Sequence, residues 1–218
     1  MGNARCEASL LGAVWLHGLS GLGLASAFQV AHHFFDINLI SNPESTLLLL
    51  WVIQCPLVIL LYSVYRKNAA SCSYLKAVGR GLLGLVVGAL LVTTVAISLG
   101  APVGIKYMKR TIYWSLLMSL LTLAPVAAIF GSSWEDWQCI FANTRPAGSV
   151  DFMVCLPAHG AILGSWFGAW PMPLDWERPW QEWPICVTYG ALVGYTVGMI
   201  ASVIFVFASN RKQSIKKE

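Results

Sequence analysis

The chain has 218 residues, of which 57% are hydrophobic and only 11% charged, where soluble domains carry about 45–50% and about 25%. That balance excludes a soluble globular domain with a charged shell and leaves a membrane protein; at about twenty residues per span the length admits five to seven spans and no separate soluble catalytic domain. The net charge of +4 lies in short clusters rather than one patch, which disfavours nucleic acid and favours lipid headgroups as partners.

Apolar runs long enough to cross about 30 Å of hydrocarbon predict spans at 10–31, 47–65, 81–103, 112–130, 152–170 and 185–208. The expectation is an all-α polytopic membrane helix bundle of about six transmembrane helices, forming a single transmembrane domain over 1–218. His17 and Gln29 interrupt the first run, and Ala25-Ser26-Ala27 resembles a signal-peptidase site behind Arg5. Its apolar character continues to Ala31, so it reads as a retained helix. The third run ends at Gly100-Ala101-Pro102, and 105–111 reads as a basic loop end. The longest loop, 131–151, is only about twenty residues, and no linker or repeat divides the chain. Six scattered cysteines without a C-x-x-C read as isolated thiols.

Short cytosolic loops carry the Lys and Arg excess. With six spans, Arg5, Arg66, Lys67, Lys76, Arg80, Arg145, Arg211, Lys212, Lys216 and Lys217 share one face, and Lys106, Lys109, Arg110 and Arg178 share the other. Both termini are therefore expected in the cytosol. Lys106, Lys109 and Arg110 break the rule, and beside the membrane they are candidates for holding a phosphate or for pairing with acidic residues of a neighbouring loop.

Gly160, Gly164 and Gly168 in the fifth span, and Gly190, Gly194 and Gly198 in the sixth, each place a side-chain-free stripe on one helix face. Such stripes are packing seams in lipid, here expected to join these two helices, with Gly84 and Gly88 of the third span left as a spare surface. The loop between the two spans holds four of the ten prolines, and five of the ten tryptophans lie in 166–183. Prolines make it stiff and indoles suit the headgroup region, while interleaved Asp175, Glu177, Arg178 and Glu182 suggest recognition, with an Asp175–Arg178 ion pair in a rigid turn. Of the polar residues inside spans, His17, Gln29 and His159 stand out. The histidines read as buried and hydrogen-bonded, because a metal site needs three or four ligands and no carboxylate is near in sequence. His32, His33 and Asp36 form a loose cluster without ligand spacing. No G-x-S-x-G elbow, Walker loop, H-E-x-x-H or carboxylate pair with a base is present, so no catalytic, metal or cofactor residues are assigned.

The run Gly164-Ser165-Trp166-Phe167-Gly168-Ala169-Trp170-Pro171-Met172-Pro173-Leu174-Asp175-Trp176-Glu177-Arg178-Pro179-Trp180-Gln181-Glu182-Trp183-Pro184-Ile185 resembles the signature of the phosphatidylinositol-glycan biosynthesis class F (PIG-F) family. Gly190, Gly194, Tyr195 and Gly198, the tail Asn210-Arg211-Lys212-Gln213, and more weakly Gly100-Ala101-Pro102 extend the likeness, which covers the final third of the chain. The resemblance implies a multi-pass endoplasmic-reticulum membrane protein of GPI-anchor assembly that is not itself an enzyme. Family members stabilise ethanolamine-phosphate transferases, PIG-O-like for the third mannose and PIG-G-like for the second, which add phosphoethanolamine to the anchor precursor. Pro173, Asp175, Trp176, Arg178, Trp180 and Trp183 are then the expected assembly residues. The alternative is an active component, either a lipid transporter or a transferase that uses lumenal carboxylates such as Asp175 and Glu182.

Overall fold

The structure, a computed structural model, describes residues 8–144, 146 and 148–215, with side chains through Arg211. Arg5, Arg145, Lys216 and Lys217, counted above for orientation, lie outside the described residues. The chain folds into α1 (Leu10–Phe35), α2 (Pro43–Val64), α3 (Tyr74–Ser98), α4 (Ile105–Phe130), a short α5 (Trp134–Trp137) continued by a π turn, α6 (Ser149–Ala169) and α7 (Ile185–Ile215). All but α5 are long and apolar enough to cross a membrane, and no strand occurs among the described residues.

Local chemistry sets the helix ends. Ser9 caps α1 by accepting the Gly12 N–H (3.0 Å), and Asp36 closes it in the left-handed region (φ 49°). Pro43 occupies the first turn of α2, where its missing N–H costs nothing. Two boundaries differ from the apolar count. Ser73 starts α3 at Tyr74 by accepting the Lys76 N–H (3.3 Å), seven residues before the apolar run, because Lys76 stays exposed and Arg80 donates to the Ala128 carbonyl of α4 (3.2 Å), so neither charge is left in hydrocarbon. The same helix stops before Gly100 (φ 101°), where the Ala101 N–H returns to the Ala96 carbonyl (2.9 Å); hydropathy does not register such a turn. The 105–111 segment is a second correction. It is no loop end but the first two turns of α4, which places Lys106, Lys109 and Arg110 on one helix.

The middle of the bundle is α4. Of its most apolar stretch 78% is buried, against 28% for α3, because α2, α3 and α6 all pack on it. The α1 helix lies against α2 and α7, and α6 pairs with α7. The α3–α4 contact uses the third-span glycines. A Cβ on Gly84 would strike the Ala127 side chain, and one on Gly88 would strike Ser119 and Leu123. The expectation of a spare surface there is overturned, since the stripe is already filled by α4.

The tightest contact is between α6 and α7. A Cβ on Gly160 would run into the Gly194 carbonyl oxygen, one on Gly164 into that of Gly190, and one on Gly198 into that of Leu156. Gly190 and Gly194 meet the Gly164 and Gly160 carbonyl oxygens in return. The two ladders face each other with backbone against backbone, so each backbone fills the space a side chain would take. Where α1, α2 and α7 meet, hydrogen bonds join the apolar packing. Gln54 of α2 donates to Ser20 Oγ (2.9 Å) and to the Ser20 carbonyl (3.1 Å) of α1. Ser20 Oγ lies 3.3 Å from the Tyr195 hydroxyl of α7, and His17 Nε2 lies 3.0 Å from Ser202 Oγ of α7.

Candidate functional site

The connection from α6 to α7 has an exposed tip and a buried base. Residues 173–179 are exposed, whereas Gln181, Trp183 and Pro184 are buried. Gln181, which the sequence reading passed over, organises the tip from below. Its Nε2 donates to the Pro171 carbonyl (2.5 Å) and the Leu174 carbonyl (2.8 Å), and its Oε1 accepts the Arg178 N–H (2.9 Å). One side chain thus satisfies three backbone groups in a segment where four prolines have removed donors. Nothing in sequence marks Gln181 beyond its place among the aromatics.

Trp183 is a correction. Counted among the assembly residues from sequence, it is only 9% exposed, donates its indole N–H to Thr111 Oγ1 of α4 (2.9 Å) and meets Trp114 edge to face at 5.0 Å. It anchors the loop to the bundle rather than offering a surface. The neighbouring Glu182 faces the first turns of α4, where Arg110 Nη1 donates to its Oε1 (2.9 Å) and Lys106 Nζ lies 3.3 Å away. Arg110 Nε also lies 3.5 Å from Glu44 Oε1, in the first turn of α2. Arg110 is only 12% exposed and so ties three segments together. Burial raises the Glu182 pKa, but the hydrogen bond from Lys106 and the charge of Arg110 outweigh burial and hold the carboxyl below its ordinary range.

The basic trio therefore does not converge on an open phosphate cradle. Lys106 and Arg110 are engaged by Glu182, and Lys109 is exposed without an ion pair among the described residues. Nor do Asp175 and Arg178 form the ion pair suggested by their spacing. Both are exposed, and Glu177 between them takes a left-handed φ of 49° that turns the chain. The exposed tip presents Pro173, Asp175, Trp176 and Arg178, with Trp176 56% exposed and set edge to face on the half-buried Trp180 (6.0 Å). The result is a stiff platform with an exposed indole, a guanidinium and carboxylates.

The histidines do not meet. His17 pairs with Ser202 on α7, while His159 Nδ1 lies 2.8 Å from the carbonyl of Cys155 on its own helix. His32 and His33 touch edge to face (5.1 Å) and are exposed, and Gln29 is exposed as well. Among the described residues no three His, Cys, Asp or Glu side chains gather as a metal set.

The family described as "GPI biosynthesis protein family Pig-F" matches residues 24–203, a stretch holding the signature loop, both glycine ladders and the α4 brace. This chain belongs to the Pig-F family. Relatives of Mus musculus and Homo sapiens, each named "GPI ethanolamine phosphate transferase, stabilizing subunit", are 34% identical over 114 residues, 52% of this chain and 51% of theirs. A Schizosaccharomyces pombe relative, the "PIGF/3-ketodihydrosphingosine reductase fusion protein", is 36% identical over 124 residues, 57% of this chain and 24% of that protein. The matched region thus spans about half the length of the mouse and human Pig-F relatives and about a quarter of the fusion protein. No solved structure matches this Pig-F chain.

Proposed function

We propose that this chain is a non-catalytic stabilising subunit of the endoplasmic-reticulum complexes that transfer ethanolamine phosphate to mannoses of the GPI-anchor precursor. Its partners in this reading are the catalytic transferase subunits, PIG-O-like for the third mannose and PIG-G-like for the second. The observation that carries the reading is the exposed tip of the signature loop, held rigid on a buried base in a chain whose mouse and human relatives are named as stabilising subunits. A preformed loop with an exposed indole loses little conformational freedom on docking, and a neighbouring charge sets register; those are properties of an interface anchor. Transfer of a phosphoryl group needs a nucleophile and strong stabilisation of developing charge. The tip offers one Arg, and of the three cations at the start of α4, Lys106 and Arg110 are already held by Glu182, which leaves only Lys109 unpaired among the described residues. In the orientation set by the basic count, both termini are cytosolic and the loop is lumenal.

The test is co-purification of the transferase subunits with the full chain, followed by an assay of transfer. Replacing Trp176, Arg178 and Trp180 with Ala lowers the partner recovered, with activity falling in proportion. Asp175→Asn keeps shape and removes charge, so it lowers recovery only in part. Full recovery with abolished transfer would make Asp175 a catalytic or metal-binding group and overturn the accessory reading. Glycosylation acceptors inserted beside Asp36 or Pro173 are modified under the proposed orientation, and acceptors beside Ser71 are not; the opposite pattern reverses it.

A further inference from the structure

The end of the bundle away from the signature loop carries a cavity of about 340 Å³, where the α2–α3 connection meets the end of α4 and the start of α5. Its walls are pinned. Lys67 N–H donates to the Ile129 carbonyl (3.0 Å), and Lys67 Nζ is held by Asp136 (2.8 Å), with both side chains less than a fifth exposed. Arg66 Nε donates to the Cys72 carbonyl (2.7 Å), and the Trp137 indole donates to the Gly131 carbonyl (2.8 Å). Gly131 adopts φ 63°, and a Cβ there would stand 2.5 Å from Arg80 Nη1. The missing side chain is what lets the Arg80 guanidinium lie across this turn.

Arg80 has donors to spare. Its Nη2 donates to the Ala128 carbonyl (3.2 Å), while its Nε is buried without a partner. Lys76, one turn earlier on α3, is exposed and makes no ion pair among the described residues; Glu135 on the opposite wall is likewise exposed and unpaired. Asn68, Ser71 and Ser133 add neutral donors and acceptors to the lining. Two cations with spare N–H groups suit a phosphate, and a free carboxylate suits an ammonium. The cavity also lies where four helix ends leave the apolar part of the bundle, at headgroup depth for any lipid beside it. Asp136 is neutralised by Lys67, but a simple anion would still find the unpaired carboxylate of Glu135 repulsive, whereas a headgroup carrying both signs meets a partner for each.

We propose that this cavity binds the headgroup of a zwitterionic phospholipid, with its phosphate between Lys76 and Arg80 and its ammonium at Glu135. The site stands apart from the signature loop and does not depend on the transferase partnership. Native mass spectrometry of the delipidated full chain, titrated with dioleoylphosphatidylethanolamine or dioleoylphosphatidylglycerol, tests it. The wild type retains the ethanolamine lipid in preference to the glycerol lipid. Lys76→Ala lowers retention of both by about fivefold, the loss expected for one lysine at a phosphate near a membrane surface. Glu135→Gln lowers the ethanolamine lipid to the level of the glycerol lipid, which itself holds or rises. Lys76 and Glu135 are exposed, so neither change threatens folding; Arg80→Gln, checked by its elution as a monodisperse peak, lowers retention of both lipids. Equal retention of both lipids, insensitive to Lys76→Ala and Glu135→Gln, would overturn the proposal. Displacement of the lipid by millimolar inorganic phosphate would overturn it too, by assigning the cavity to a free phosphate ion.

Discussion

The α6–α7 pair and the α1–α2–α7 corner solve the same problem in different ways. In lipid, apolar side chains gain nothing by leaving one apolar neighbour for another, so helices must find another reason to associate. The α6–α7 pair removes side chains from the contact, and carbonyl oxygens and Cα atoms pack at distances no Cβ would tolerate. The corner keeps its side chains and joins them by hydrogen bonds through Ser20, Gln54, Tyr195, His17 and Ser202. Close packing is unforgiving, because one added atom already pushes two backbones apart over several turns and each further atom adds to the separation. Hydrogen bonds are local, and each one lost leaves the rest in place. The seam also positions the candidate site directly, since the signature loop is the connection between its two helices.

The largest expected effect is on the seam. Gly164→Leu or Gly194→Leu should cost about 3 kcal/mol or more and abolish the monodisperse folded fraction seen by size-exclusion chromatography. Because a single Cβ already strikes a carbonyl oxygen, the Ala variants should also lose folded yield, though less. Leu variants that fold as well as the wild type would show that the helices do not meet as described.

A smaller effect is expected at the corner. Gln54→Leu keeps the volume and removes two interhelical bonds, while relieving the buried, unpartnered Gln54 Oε1. Bonds of this kind average about 0.6 kcal/mol in membrane proteins, so thermal unfolding in detergent should shift by a few degrees at most, and Tyr195→Phe by less. A Gln54→Leu variant that collapses as completely as Gly194→Leu would erase the distinction between the two modes of association.

The smallest effect joins the seam's loop to α4. The Glu182 carboxyl is held below its ordinary range by Lys106 and Arg110, so its stabilising contribution is present above the unfolded pKa and is lost as pH falls through the folded one. Wild type should unfold at a slightly higher temperature than Glu182→Gln at neutral pH, and the gap should close as acidification takes the pH below the ordinary carboxylate range. A gap that widens on acidification would reverse the sign and contradict the pairing.

Much of this architecture is legible in one sequence because lipid makes severe demands on each segment separately. Every spanning helix must satisfy its own backbone, so the six apolar runs locate six helices without knowledge of their neighbours. Glycine at every fourth position can serve only a close face, so the ladders of α6 and α7 are visible before any fold is known. Pairing was less legible. The sequence offered Gly84 and Gly88 as spare, and α4 fills them. It left Lys106 and Arg110 open between holding a phosphate and pairing with acidic loop residues, and Glu182, seventy-two residues beyond Arg110, decides for the second.

What the sequence determined by itself is the class of solvent, the number of spanning helices, the stiffness of the proline-rich loop and the faces that had to pack closely. Composition and short-range spacing carry all four, since each follows from a segment's own transfer energy and backbone freedom. Only the tertiary structure decided that Trp183 points inward while Trp176 points outward, that Gln181 holds the loop, that Arg110 bridges Glu44 and Glu182, and that Arg80 lies over Gly131. Those outcomes depend on which distant backbone comes within 3 Å of a side chain, and hydropathy and periodicity contain no information about such encounters.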